Sequence, residues 1–362
     1  MWKVLLDQLK IKGDNVATKT TYSKLLPDVA ALELTYRCNH KCIFCSCPWE
    51  AEKDYLKDEL TYKQWTQVID ELLKNGTSSF TLTGGEPLMR DDLKDIVDYV
   101  LSHGAKLNII SNGRKIDDSF LDFIAERKIS MCISVPGINT FKKHTGVDNI
   151  EHVLSLFEKT RERGIQATAN IAVTKKNLPE LYENIALPLI HGADYVLLNR
   201  FLPGGRGLSN TEYLLSKEET NDMLDIAEEV LSKANKYGHV GTELPLCALN
   251  NPDKYKHIKV SNLCSAAKGF YIVDPSGYLK VCNHSPTRIC RYDELETLKD
   301  SLYWNTFRHR EYLPDMCKDC DKTDICDGGC REAAHVYYDK TNDNDPIFEQ
   351  NDKLECYDMP QT

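Results

Sequence analysis

Short apolar runs alternate with amphipathic stretches from about residue 30 to residue 236. The apolar runs are five to seven residues long, as buried strands are. The stretches between them carry apolar residues three and four positions apart, which is the period of a helix. Predicted strands are Ala31–Tyr36, Ser79–Thr83, Lys106–Ile110, Ile129–Val135, Ala167–Val173 and Tyr195–Phe201, and predicted helices are Tyr62–Leu73, a helix that follows Asp91 and Asp92, Ile150–Arg163 and Lys217–Ala234.

Alternating strands and helices predict an α/β fold, a parallel sheet with right-handed crossovers. Six such units, where a closed barrel has eight, predict a partial (β/α)6 TIM barrel that is open on one side. Ligands of parallel sheets gather at the C-terminal ends of the strands. We therefore expect the site in the loops that follow the strands.

The pattern changes after about residue 237. Residues Phe270–Val281 predict a β-hairpin around a turn at Pro275-Ser276-Gly277. Residues Leu298–Tyr312 predict a helix, and residues 339–353, rich in Asp, Asn and Lys, predict a solvated loop. The chain thus divides into an N-terminal segment (1–30), a partial barrel (31–236) and a small cysteine-rich hairpin-and-helix domain (237–362).

Three cysteines, Cys38, Cys42 and Cys45, follow the first predicted strand on one short loop. Thiolates are the usual protein ligands of iron–sulfur clusters, and three of them leave one iron of a four-iron cluster without a protein ligand. A zinc knuckle or a group of reactive thiols is the alternative, but zinc sites usually have four ligands from paired motifs.

A second motif, Gly84-Gly85-Glu86-Pro87, follows the second predicted strand. Glycines allow positive φ or close approach of the backbone to a ligand. A glutamate can accept hydrogen bonds from an ammonium group. On its own this run is only a good turn, but here it lies one strand after the three-cysteine loop.

A further set of cysteines occupies the C-terminal region. Cys264 is followed by Gly277 and, five residues later, by Cys282. Later cysteines are separated by two, five and three residues, and one distal cysteine ends the series: Cys317, Cys320, Cys326, Cys330 and Cys356. A zinc ribbon explains only one four-cysteine set, and disulfides do not suit a chain whose start is too short and charged for a signal peptide.

The two N-terminal motifs together resemble those of the radical S-adenosylmethionine (SAM) enzymes, and the C-terminal pattern resembles their SPASM extension. This resemblance implies a SAM-binding [4Fe-4S] cluster, two auxiliary [4Fe-4S] clusters, and a 5′-deoxyadenosyl radical that removes hydrogen from an unactivated carbon. It assigns the SAM cluster to Cys38, Cys42 and Cys45, the nearer auxiliary cluster to Cys264, Cys282 and Cys330, the outer one to Cys317, Cys320, Cys326 and Cys356, and SAM contacts to Gly84, Gly85, Glu86, Ser111, Asn112 and Ser134.

Some positions stay open. The nearer auxiliary cluster is one ligand short, so that its fourth position is open or filled by Cys290 or Cys247. Cys132 is expected to be a small buried core residue, and Cys47 to be a packing residue near the cluster, with a spare thiol as the alternative. The chain also departs from the family pattern, because Ser134-Val135-Pro136-Gly137 stands where many SPASM proteins have Ser-Leu-Asp-Gly.

Composition excludes several classes of partner. The net charge of −10 argues against a nucleic-acid substrate, and no apolar run reaches the length of about 18 residues that a transmembrane helix needs. Fourteen cysteines without a secretory signal indicate the reducing cytoplasm.

The resemblance implies a peptide or protein substrate and an external electron donor of the flavodoxin or ferredoxin type. Our first expectation is a crosslink or related modification in a ribosomally synthesised peptide, with leader recognition by a separate protein or by the barrel itself. Alternatives are a sulfatase (formylglycine) maturase, which Asn283 disfavours because that branch has an aspartate there, a small-molecule or tetrapyrrole enzyme, and a non-catalytic electron carrier.

Overall fold

A single open sheet of ten strands organises the chain, for which the computed structural model describes residues 24–50 and 58–348. The strands lie in the order β10-β9-β1-β2-β3-β4-β5-β6-β7-β8, and every neighbouring pair is parallel except β9 and β10. They are β1 Val29–Glu33, β2 Ser79–Thr83, β3 Lys106–Ser111, β4 Ser130–Ser134, β5 Ala167–Val173, β6 Tyr195–Arg200, β7 Gly238–Val240, β8 Ile258–Lys259, β9 Phe270–Val273 and β10 Leu279–Lys280.

Helices connect the parallel strands and cover the sheet. Capping boxes start two of them, since Thr61 with Gln64 and Ser216 with Glu219 satisfy backbone groups at the helix N-termini. The helices are α1 Tyr62–Lys74, α2 Leu93–Ser102, α3 Asp118–Glu126, α4 Phe141–Thr145, α5 Ile150–Glu162, α6 Leu181–His191, α7 Lys217–Ala234, α8 Leu302–Arg308 and α9 Arg331–Tyr338.

The predicted α/β class and partial barrel are confirmed, and the six predicted strands agree with β1–β6 to within a few residues. The sequence pattern missed the helices α3, α4, α6 and α9, of which α6 contains Pro188, and the short strands β7 and β8, of three and two residues. Residues Leu298–Tyr312, predicted to be helical, contain α8, but Ser301 caps that helix and separates it from a preceding 3-10 helix, Leu295–Asp300.

The C-terminal region shares the sheet of the barrel. The predicted hairpin forms β9 and β10, and β9 pairs in parallel with β1. The division of the chain at residue 237 stays a prediction, but strands from both sides of it belong to one sheet. Most of the predicted segment 1–30, the end of the predicted loop 339–353 and Cys356 lie outside the described residues. In the part of the chain that the structure covers, no helix has the length and apolar character to cross a bilayer.

Candidate active site

The loop that carries Cys38, Cys42 and Cys45 follows β1 and is held by backbone contacts from helix α4 and from the loop after β6. The amide of Ile43 donates to the carbonyl oxygen of His144 at 2.9 Å. From the loop after β6, the amide of Gly207 donates to the carbonyl oxygen of Cys45 at 3.1 Å. These contacts fix the loop at the C-terminal ends of the strands, where a ligand site was expected.

Gly84 and Gly85 continue the β1–β2 pairing beyond the strand ends. The Gly85 amide donates to Thr35 O at 2.7 Å and the Glu86 amide to Arg37 O at 2.8 Å. A Cβ on Gly85 would lie 2.3 Å from Arg37 O, and Gly84 has φ +131°. The glycines are therefore required by close approach to the backbone that leads into the cysteine loop.

The Glu86 carboxylate turns into the protein and holds the loop after β3. It accepts hydrogen bonds from the Ser111 hydroxyl at 2.8 Å, the Asn112 amide at 2.8 Å and the Leu88 amide at 3.3 Å. Burial raises the pKa of Glu86 to about 7, against the lowering effect of these donors. Glu86 is thus a positioning group for Ser111 and Asn112.

Asn112 joins this network to the cysteine loop. Its side-chain amide donates to Asn39 Oδ1 at 2.7 Å and approaches Cys38 Sγ at 3.8 Å. Ser134 ends β4 at the same edge of the sheet, one residue beyond the pairing of Ser111 with Ile133. All six residues predicted to contact SAM therefore surround one edge of the sheet.

The three N-terminal thiols influence one another electrostatically. Burial and then the charges of Cys45 and Cys38 raise the pKa of Cys42 well above its usual value. Burial raises the pKa of Cys38 to about 11. Cys45 differs, because a hydrogen bond from the Cys47 thiol lowers its pKa. Three mutually close soft donors on one loop fit a polynuclear iron–sulfur cluster with one iron left open.

Cys264, Cys282 and Cys330 form the nearer C-terminal set, and each is less than a tenth exposed. The charges of Cys330 and Cys264 contribute to the raised pKa of Cys282, after burial and Glu332. The Cys264 amide donates to Asp327 Oδ2, and the Cys330 amide donates to Asp345 Oδ2, both at 2.7 Å. Buried carboxylates thus fix the backbone at two of the three thiols.

The two cysteines that could complete the nearer set have polar neighbours of their own. Cys290 has as its polar neighbours Thr297, Glu294 and Asp293. Cys247 is instead close to the outer set: after burial, the charges of Cys326, Cys317 and Cys320 raise its pKa to about 11. Which group completes the nearer set stays a prediction, and the carboxylate of Glu243 lies beside two of the three thiols, Cys264 and Cys330.

Comparison with known proteins decides the family of the barrel. Residues 32–186 match the family model of the radical SAM superfamily. The chain carries a radical SAM domain. A radical SAM domain implies an enzyme that binds a [4Fe-4S] cluster and SAM.

Similarity extends well beyond that domain. The chain is 23% identical to the PqqA peptide cyclase of Granulibacter bethesdensis over 87% of this chain and 85% of that protein. It is 25% identical to the PqqA peptide cyclase of Xanthomonas campestris pv. campestris over 88% and 86%.

Solved structures share the fold across the same extent. SuiB of Streptococcus suis, bound to its precursor peptide SuiA, has a TM-score of 0.68 at 15% identity, covering 88% of this chain and 75% of SuiB. Native anSMEcpe with bound AdoMet has a TM-score of 0.67 at 16% identity, covering 88% of this chain and 93% of anSMEcpe.

A cavity of about 230 Å³ lies between the cysteine loop of the radical SAM domain and the C-terminal region. Ser46 and Pro48 line one side, and His284 and His335 line the other. His335 Nδ1 lies 2.9 Å from the Tyr303 hydroxyl and 3.0 Å from Glu332 Oε2. The hydrogen bond with Glu332 raises the pKa of His335.

Sequence reasoning did not assign His335 or Cys47 to a site, and it offered Cys247 only as a possible ligand of the nearer set. Cys47 contacts Cys45 and also donates to Gly84 O at 3.9 Å, so it lies between the two N-terminal motifs. Only its position two residues after Cys45 signalled this. His335 and Cys247 carry no motif, and the fold alone brings them to their sites.

A single zinc ion holds its sulfur ligands at about 2.3 Å, so that the ligands of one ion lie close together. Within residues 24–50 and 58–348, no three His, Cys, Asp or Glu side chains are gathered that tightly.

Proposed function

We propose that this radical SAM enzyme modifies a peptide or protein, and that its product is a crosslink or related change in a ribosomally synthesised peptide. The similarity of nearly the whole chain to PqqA peptide cyclases carries the proposal. The fold shared with SuiB, which was solved with a precursor peptide, supports it.

We further propose that Cys38, Cys42 and Cys45 hold the SAM cluster, and that SAM lies against Gly84, Gly85, Glu86, Ser111, Asn112 and Ser134. When bound, these cofactors supply a 5′-deoxyadenosyl radical that removes a hydrogen atom from carbon. The chain itself orients the site: Glu86 fixes Ser111 and Asn112, and the loop after β6 fixes the cysteines.

The C-terminal thiols are proposed to hold two auxiliary [4Fe-4S] clusters, the nearer on Cys264, Cys282 and Cys330. The 230 Å³ cavity separates the cysteine loop from this region, so a substrate side chain there would be reached from both sides. His335 faces it with Nδ1 oriented by Glu332 and Tyr303, an arrangement suited to accepting a substrate proton at Nε2.

Partners follow from the same chemistry. An external flavodoxin- or ferredoxin-type protein supplies electrons, a separate protein is the candidate for leader recognition, and the reducing cytoplasm suits the many thiols. Sulfatase maturation is second, because Asn283 follows Cys282 here, where that branch has an aspartate.

The first experiment tests the radical chemistry. The Cys38→Ala/Cys42→Ala/Cys45→Ala variant, reconstituted anaerobically with dithionite, should form no 5′-deoxyadenosine, whereas Cys132→Ala should retain the wild-type rate because Cys132 is buried within β4. Undiminished formation in the triple variant would refute the cluster assignment.

The second experiment tests the substrate class. Short peptides encoded beside this gene are incubated with enzyme and SAM, and mass spectrometry should show the loss of two hydrogen atoms. A peptide that carries a sulfatase Cys or Ser site and gains an aldehyde, with no change in the short peptides, would favour the sulfatase maturase instead.

A further inference from the structure

Three stretches of the chain that meet around Cys38 carry positive charge and no negative charge. They are residues 34–49, which contain the cysteine loop, residues 107–116, which contain most of β3 and the loop after it, and residues 129–147, which contain β4 and α4. None of them contains Asp or Glu, although the chain has 55 acidic residues and 45 Lys and Arg in all. Their lysines and arginines, called the basic surface below, are Arg37, Lys41, Arg114, Lys115, Lys142 and Lys143.

Backbone contacts bring the three stretches together. The amide of Lys41 donates to Thr145 O at 2.8 Å, and a Cβ on Gly146 would lie 3.6 Å from Lys41 Cβ. On the other side of the loop, Arg114 Nη1 donates to Asn39 O at 2.6 Å. The basic side chains therefore lie on the two flanks of one short loop.

That loop reaches solvent at Cys38. The Cys38 thiol is exposed, whereas the other two thiols of the loop are only partly exposed. The cavity of about 230 Å³ is lined by Ser46 and Pro48 from the far end of the loop, and by no member of the basic surface. The basic surface is thus separate from the cavity in which a substrate side chain is proposed to react.

Most charges of the basic surface have no acidic partner. Lys142 lies 3.3 Å from Asp148, and Arg37 lies 3.8 Å from Glu59. Four exposed members have no carboxylate at ion-pair distance within residues 24–50 and 58–348, namely Lys41, Arg114, Lys115 and Lys143. Charges of one sign that are gathered on a surface attract a partner of the opposite sign and steer its approach.

We propose that the basic surface is the docking site of an acidic electron-transfer protein. The inference rests on the proposed function, which places the SAM cluster on the loop that carries Cys38. The docked donor passes one electron to this cluster, so that the flavin or iron–sulfur group of the donor is oxidised and the cluster is reduced. Such encounters bury little area and depend on charge, which suits an exposed thiol ringed by unpaired lysines.

Binding tests the surface without any turnover. A recombinant acidic flavodoxin is immobilised, and the cluster-loaded enzyme is applied without SAM or peptide. Lys41→Glu/Lys115→Glu/Lys143→Glu should bind about tenfold more weakly than the wild type. The control Lys63→Glu/Lys256→Glu/Lys259→Glu makes the same change in net charge at other exposed lysines and should keep the wild-type affinity. Equal affinities of the two variants would overturn the proposal.

Carbodiimide crosslinking locates the contact in the unmodified enzyme. This reagent joins lysines directly to carboxylates, and mass spectrometry should find flavodoxin peptides on Lys41, Lys115 or Lys143. Crosslinks confined to lysines outside the basic surface would overturn the proposal.

A change of reductant separates docking from chemistry. With dithionite, which needs no docking site, the triple variant at Lys41, Lys115 and Lys143 should form 5′-deoxyadenosine at the wild-type rate. With reduced flavodoxin its rate should fall about tenfold, and high salt should remove the difference. Equal losses with both reductants would overturn the proposal, since the lysines would then support the loop itself. A wild type that forms no 5′-deoxyadenosine with dithionite would instead refute the proposed function.

Discussion

Gly85 is the residue at which the fold and the site are most tightly connected. A Cβ at this position would lie 2.3 Å from Arg37 O, and the clash is with backbone that cannot rotate away. Gly85→Ala should therefore displace the segment leading into Cys38. We expect the variant to lose about four irons and 5′-deoxyadenosine formation, measured by iron analysis and chromatography.

Gly269→Ala is the matched control, since a Cβ there meets Ser265 Cβ at an ordinary 3.4 Å. Full iron content in both Gly85→Ala and Gly269→Ala would contradict the prediction, because the cysteine loop would then tolerate the displacement.

Glu86 predicts a pH dependence of stability. Burial raises its pKa from 4.5 to about 7, so between these values the folded protein keeps a proton that the unfolded chain has lost. The contribution of this group to the free energy of unfolding is complete below pH 4.5. It is lost as the pH rises towards 7, and the loss is at most about 1.4 kcal/mol per pH unit.

Glu86→Gln cannot titrate, so the melting temperature of the wild type should fall relative to it between about pH 5 and about pH 7 and run parallel above. Thermal unfolding of the loaded proteins measures this. Parallel curves across the whole range would contradict the raised pKa.

His335 gives a prediction about product formation. His335→Gln removes the group that faces the cavity and should lower the yield of modified peptide by about 100-fold while 5′-deoxyadenosine still forms. The hydrogen bond with Glu332 raises the pKa of His335, so the neutral base disappears as pH falls through that raised pKa and the wild-type product rate should fall with it.

The exposed His103→Gln is the control. A His335→Gln rate that follows the wild-type pH profile would exclude a proton-accepting role.

At the scale of elements, a buried ion pair joins the radical SAM strand β1 to the C-terminal strand β10. Glu33 Oε2 lies 2.9 Å from Lys280 Nζ, and both side chains are almost fully buried. Lys280→Met leaves the carboxylate without its partner and should cost about 3–5 kcal/mol, seen as a large drop in melting temperature.

The double variant Glu33→Met/Lys280→Met removes both charges and should recover much of that loss. Lys233→Met, from the exposed pair with Glu229, should have no measurable effect. Equal losses in the single and double variants would show that side-chain packing rather than charge is responsible.

At the scale of the whole molecule, the two ends of the chain are expected to perform separable steps. The loop proposed to hold the SAM cluster and the Glu86 network lie in the barrel, and the outer thiols lie in the C-terminal region. Cys320→Ala/Cys326→Ala should therefore keep some 5′-deoxyadenosine formation and lose the modified peptide. Loss of folding is checked by circular dichroism, since metal binding and folding are coupled.

A folded variant that lacks the outer cluster and yet makes product at the wild-type rate would refute an essential catalytic role for that cluster.

The sequence alone determined what depends on residues close together in the chain. Strand and helix periods placed β1–β6 and the four helices that the pattern indicated, and the spacing of Cys38, Cys42 and Cys45 indicated a cluster because all three lie on one loop. The same holds for Gly84-Gly85-Glu86, whose place directly after a strand could be read from the chain.

Tertiary structure decided what joins distant segments. Only the fold turns the Glu86 carboxylate towards Ser111 and Asn112, pairs β9 with β1, and brings Cys247 to Cys317, Cys320 and Cys326. Local pattern carries no information on such contacts, because the free energy that selects them comes from burial and pairing between segments 25 to 240 residues apart.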